Sequence, residues 1–184
     1  MHLSNLKIAS QYAKSFLKQA KEADMLDYVY RDVLFLKKVV ENNKNLAQVL
    51  KSPIITNEKK GSILEILFKA RIHKLTFNLL RIVSHAKREA ILPTIMDVFL
   101  EQYYAYKKIT IARVTTTFPL SDDLIDYFKN LAQLLIPCKD VILTQHIDPA
   151  IQGGFILRIA DRQIDHSLAN KLYGLNKKFS IAQY

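Results

Sequence analysis

The chain has 184 residues, 49% of them hydrophobic, and a formal net charge of +10, enough for one or two domains with ordinary cores and too apolar for a disordered protein. No apolar run approaches the roughly 20 residues of a membrane-spanning helix, and Met1 to Ala20 alternates lysine with apolar residues instead of forming a secretory core, so the isolated protein is expected to be soluble and cytoplasmic. The single cysteine, Cys138, excludes an internal disulfide and a multi-cysteine metal site.

Leu6, Ala9, Ala13, Phe16, Leu17 and Ala20 recur every three or four residues, which predicts a first helix from about Ser4 to Glu22. A second begins near Asp24, whose side chain is expected to cap free amides, and carries Val29, Val33, Leu36 and Val40. A short helix, Leu46 to Leu50, meets Ser52-Pro53, where proline disfavours helix in the residue before it. Thr56 or Asn57 starts a fourth helix with Ile63, Ile66, Leu67 and Ala70 as its stripe. The fifth, about Ile72 to Arg88, packs Ile72, Leu75, Leu79, Ile82 and Ala86. A sixth starts around Ala90 with Pro93 in its first turn and continues through Ile95, Phe99 and Tyr106. Six helices with short connections predict a bundle.

At Ile109 the pattern changes. Seven β-branched residues in the nine from Ile109 to Thr117 favour a strand, which places a domain boundary near Lys107-Lys108. The charge changes there too: residues 1–107 hold 18 Lys and Arg against 10 Asp and Glu, residues 108–184 hold 9 against 7. Ser121 with Asp122 and Asp123 opens a helix bearing Leu124, Phe128, Leu131 and Leu135, which Pro137 stops. Val141 to Ile147 and Gly154 to Ala160 read as two further strands, and Ser167 to Phe179 as a closing helix with Leu168, Leu172, Leu175 and Phe179. The predicted fold class is therefore mainly α, a six-helix bundle (1–107) followed by a small α+β domain (108–184).

No constellation for catalysis stands out. Phosphate-cradling, dinucleotide, nucleophile-elbow and zincin motifs are all absent. Gly153-Gly154 leads into a strand, whereas a phosphate loop needs amides ahead of a helix N-terminus; with Asp148, Pro149, Asp165 and Ser167 the pair is expected to form structural turns. His85 and Glu89 share a helix face but lack further ligands, so no catalytic, cofactor or metal site is expected. An enzyme reading needs His85, Glu89 and Asp161 to converge in one pocket.

The basic pairs Lys37-Lys38, Lys59-Lys60, Lys87-Arg88 and Lys177-Lys178 are short and lack interleaved aromatics, so they read as solvated helix faces. A basic helical nucleic-acid-binding protein is the alternative they leave open. Ile8 and Tyr12 lie beside the main row of the first helix, and Phe77, Leu80 and Ser84 beside that of the fifth. Two such faces either form a groove for a partner's amphipathic helix or are buried within their own bundle.

Several segments resemble, in order, the delta subunit of bacterial F-type ATP synthase, the family of the mitochondrial oligomycin-sensitivity-conferring protein. Ile8-Ala9-Ser10-Gln11-Tyr12-Ala13 resembles its A-x-x-Y-A opening, and Ser52-Pro53-Ile54-Ile55 followed by Lys59-Lys60 its link between the third and fourth helices. Val114-Thr115-Thr116-Thr117-Phe118-Pro119-Leu120-Ser121 and the run from Asp148-Pro149 through Gly153-Gly154-Phe155 to Ile164-Asp165-His166-Ser167 are similar to its later motifs. Departures are Lys87-Arg88 for Gly-Arg, Gln152 for isoleucine, and His166 for a glycine, where a positive φ is the concern.

The resemblance implies a non-catalytic stator protein, without cofactor or small-molecule substrate and not a nucleic-acid binder, peripheral on the cytoplasmic face of a bacterial membrane. It implies that the bundle receives the N-terminal helix of one alpha subunit, with Ala9, Tyr12, Ala13, Phe16, Phe77, Leu80 and Ser84 as the expected contacts. It implies that 108–184 engages the b subunits of the peripheral stalk.

Overall fold

The computed structural model describes residues 2–52 and 54–181, with side chains for 5–50, 52 and 54–174. Among the described residues, eight α-helices and one small sheet make the fold mainly helical, and the chain divides into two compact units, Met1–Tyr103 and Tyr104–Tyr184.

The first unit holds α1 (His2–Glu22), α2 (Leu26–Asn42), α3 (Lys44–Lys51), α4 (Asn57–Phe68), α5 (Lys74–His85) and most of α6 (Leu92–Lys107), which a short 3-10 turn at Glu89–Ile91 introduces. α6 buries Leu92, Ile95, Met96, Val98, Phe99, Leu100 and Tyr103, residues that cover most of its circumference, so it serves as the central helix. α1 adds Ala9, Ala13, Phe16 and Ala20; its alanines permit close packing, and Phe16 meets Phe99 with ring centroids 5.1 Å apart. α2 buries Val29, Val33, Leu36 and Val40. Tyr103 stacks on Tyr30 at 4.2 Å and donates to Asp27 at 3.0 Å; burial, then that hydrogen bond, pushes its phenol up to about 12. The expected break at Pro53 lies outside the described residues.

Three local expectations are corrected. Asp24 does not cap α2: N-terminal to that helix stands Met25, without a side-chain cap bond. Asp24 ends α1 instead, at φ 53, while Met25 N bonds Ala20 O and Asp24 N bonds Lys21 O, a Schellman closure with aspartate in the left-handed position. On α4 the interior row is Lys60, Leu64 and Phe68; Ile63 is only partly buried, Ala70 and Leu67 are exposed, and Ile66 is 83% exposed. A count of apolar residues overlooks Lys60, which buries its stem and donates from Nζ to Leu50 O at 3.2 Å.

α5 is rotated in the same way, and it is shorter than expected. Its interior row is Thr76, Leu79, Leu80 and Val83, whereas Ile82 is 51% exposed and Ala86 is exposed. The cause is polar: Asp32 of α2 accepts from His73 N and from the buried Thr76 hydroxyl, both at 2.7 Å, which fixes the start of α5 against α2. His73 takes extended dihedrals as N-cap, and its Nδ1 accepts from Leu75 N. Lys87, at φ 58, closes the helix in a second Schellman turn, with Arg88 N bonded to Val83 O.

The second unit alternates β1 (Ile109–Thr116), α7 (Asp122–Leu135), β2 (Asp140–Ile147), β3 (Phe155–Ile159), β4 (Arg162–Asp165) and α8 (Leu168–Ile181). Strand order is β2-β1-β3-β4; β1 and β2 are parallel, and the other pairs antiparallel. Ala112, Val114, Val141, Leu157 and Ile159 pack one face of the sheet against Phe128 and Ala132 of α7. Strand β4 was not expected. Its residues Arg-Gln-Ile-Asp present one apolar side chain in four, too little alternation to read, and pairing with β3 through the Ala160-Asp161 turn supplies the order. Leu168 and Leu172 of α8 are about half exposed; the side chains of Leu175, Phe179 and Lys177-Lys178 lie outside the described residues.

Candidate partner-binding surfaces

Of the concave surfaces that helix α5 borders, two include residues expected to bind a partner helix. Between α1 and α5 lies a cleft of about 310 Å³ lined by Gln11, Tyr12, Ser15, Phe16 and Gln19 on one wall and Leu79, Ile82 and Arg88 on the other. Between α4 and α5 lies a wider groove of about 970 Å³, to which Gly61, Leu64, Phe77, Leu80, Arg81 and Ser84 contribute. Gly61 lets the two helices approach: a Cβ there would stand 3.0 Å from Ser84 Oγ.

The seven residues expected to share one groove are therefore divided. Tyr12 and Phe16 line the α1/α5 cleft, Phe16 mostly as its floor because only 3% of it is exposed. Ala9 and Ala13 are fully buried beneath α1. Phe77, Leu80 and Ser84 face the other groove, with Leu80 in the core and Ser84 donating to Glu89 Oε1 at 3.1 Å. Apolar spacing puts Ile82 in the core stripe of α5, yet it forms a half-exposed apolar wall of the cleft that Tyr12 also lines. The rotation of α5 imposed by Asp32 and Thr76 turns it outward, and apolar spacing alone carries no trace of that rotation. The polar residues Gln11, Ser15, Gln19 and Arg88 share the lining with Tyr12 and Ile82, a mixed surface that suits an amphipathic helix.

The turn residues of the second unit converge on one stitch. Asp148 Oδ1 accepts from Ala150 N at 2.9 Å with Pro149 opening the 3-10 turn Pro149–Ile151, and Gln152 takes φ 61. Gly153 O accepts from Leu168 N at 3.0 Å, and Phe155 O from His166 N at 2.9 Å. At Gly154, φ 76 and a separation of only 2.2 Å between a built Cβ and His166 O leave room for no side chain. Asp165 Oδ1 accepts from Ser167 N at 2.9 Å, and its carboxyl is held below the usual range by hydrogen bonding to Ser167. Ser167 Oγ, buried, accepts from Asn170 N and caps α8. His166 is absent from the residues of positive φ; Gln152 and Ala160 take left-handed conformations instead, so the concern at His166 is corrected.

Among the described residues no group of three His, Cys, Asp or Glu side chains gathers where a metal could be held. Glu89 is buried against Ser84, while His85 and Asp161 are exposed in different units. No helix among the described residues is long and apolar enough to cross a membrane.

Comparison with known proteins bears on these surfaces. The family described as ATP synthase delta (OSCP) subunit matches residues 8–179. Relatives include the ATP synthase subunit delta of Amoebophilus asiaticus, 60% identical over the full length of both chains, and that of Cytophaga hutchinsonii, 36% identical over 97% of each. In fold, the chain resembles one in the mitochondrial ATP synthase hexamer of Toxoplasma gondii, with a TM-score of 0.71 and 22% identity over 93% of this chain and 96% of that one.

Proposed function

The chain belongs to the ATP synthase delta (OSCP) family, and on that premise we propose how its two units serve as a stator. It is a non-catalytic subunit of the rotary synthase, and its work is to hold other subunits together against torque. The helices of residues 1–107 act as one six-helix bundle that receives the N-terminal helix of an alpha subunit, and residues 108–184 engage the b subunits of the peripheral stalk. The protein reaches a bacterial membrane through the complex, as a peripheral component on the cytoplasmic face.

The observation that carries the alpha-subunit reading is the α1/α5 cleft, where Tyr12 and the half-exposed Ile82 face one another over Phe16. An incoming apolar side chain buried between them would contribute roughly 1.5–3 kcal/mol, enough for about a tenfold change in affinity or more. A peptide of the alpha N-terminal helix titrated against the full chain tests it. Tyr12→Asp and Ile82→Asp are expected to weaken binding at least about tenfold, while Phe77→Asp, on the α4/α5 side, leaves it nearly unchanged. The reverse pattern in folded variants would move the site to the α4/α5 groove.

A further inference from the structure

The sheet of the second unit has a second face that α7 does not cover. The strand registers place Arg113 of β1 directly opposite Arg158 of β3, with Thr144 of β2 and Gln163 of β4 completing the same row. Ile111 and Ile142 form the row on one side; Thr115 and Ile156 belong to the row on the other. Both arginines are exposed, and Ile111 is 48% exposed. Neither guanidinium has a carboxylate, hydrogen-bond or ring partner among the described residues. Asp165 shares the face, but its carboxylate holds Ser167 N.

This arrangement is costly for a free protein. Like charges directly opposite on neighbouring strands repel. A helix packed on the open face would complete a layer on each side of the sheet. Its apolar residues would cover Ile111, Ile142 and Ile156, and its carboxylates would answer the two guanidinium groups. Residues four apart on a helix have Cβ atoms about 5–6 Å from one another, close to the roughly 4.5–5.5 Å between the Cα atoms of opposed strand residues. The match allows each arginine its own bidentate partner.

We propose that the Arg113–Arg158 face of the sheet docks an acidic amphipathic helix of the peripheral stalk. This rests on the stator reading above, and it adds the surface and the chemistry of the helix that fits it.

The test uses the full chain and purified stalk subunits, titrated at low and high salt. Wild type is expected to bind with affinity that falls as salt rises. Arg113→Gln combined with Arg158→Gln is expected to lose roughly tenfold or more in affinity and most of the salt dependence, with a thermal midpoint equal to wild type or higher because the repulsion is gone. Lys129→Gln combined with Lys171→Gln removes the same charge from α7 and α8 and is expected to bind as wild type. If wild type binds the stalk and the double arginine variant binds equally well, the docking face is overturned and the stator reading stands. If wild type does not bind the stalk subunits, both fall. Tighter binding to an RNA or DNA duplex than to the stalk, lost in the arginine variant, would overturn the proposal by making the face a phosphate-binding one.

Discussion

In residues 1–103 a central helix is buried on most sides, whereas in 104–184 one face of the sheet is packed and the other is open. The difference extends to how each unit is specified. The first depends on volume and on a few polar contacts that set the rotation of a helix, such as Asp32 on Thr76. The second depends on backbone positions with one permitted occupant, above all Gly154 beneath His166 O. Substitution in the first should cost in proportion to what is removed, and in the second according to whether the backbone can pass at all.

The sharpest way to break this comparison is Gly154→Ala. Its φ of 76 and the 2.2 Å approach to a backbone oxygen leave no side chain to move aside, so the expected cost is about 3 kcal/mol or more. Hydrogen exchange on the full chain should show protection lost in β3, β4 and the start of α8 while α6 keeps its own. Equal loss in both units would show that they do not open separately. Gly153→Ala separates the two costs, because there the Cβ meets only the tip of Leu168, a side chain, at 2.8 Å, while φ 142 still strains any residue with a Cβ.

Asp32→Ala probes the first unit. It strands the His73 amide and the fully buried Thr76 hydroxyl, at an expected cost of about 2–3 kcal/mol read as a lower denaturant midpoint. Asp32→Asn keeps an acceptor and should cost less. If the two variants are equal, the charge near the N-terminus of α5 is what matters, through the helix dipole.

The sequence made helices easy to find and their rotation hard. On α2, Val29, Val33, Leu36 and Val40 are both the apolar row and the buried row, because no polar residue competes for the interior. On α4 and α5, Lys60 and Thr76 take interior positions through long-range hydrogen bonds to Leu50 O and Asp32, which no periodicity encodes. That rotation is also why Ile82 emerges in the cleft and Leu80 disappears into the core. In the second unit, β1 was legible from its β-branched run, but β4 gains its order from pairing alone.

The smallest expected effect concerns Lys87, which ends α5 at φ 58. A side chain in the left-handed region costs about 1–2 kcal/mol, and glycine returns part of that through its freer unfolded chain, about 0.5–1 kcal/mol. Lys87→Gly should therefore stabilise the protein by roughly 0.5–1 kcal/mol, seen as a small rise in thermal midpoint with the Schellman bonds from Lys87 N and Arg88 N kept. The sign is what discriminates. Stabilisation would show that the turn tolerates lysine only at a cost to the backbone, while destabilisation would show that the lysine side chain, which borders the α4/α5 groove, contributes more than its conformation costs. In the second outcome the first unit would depend on a surface side chain as well as on volume, and the contrast between volume-specified and position-specified units would have to be redrawn around that groove.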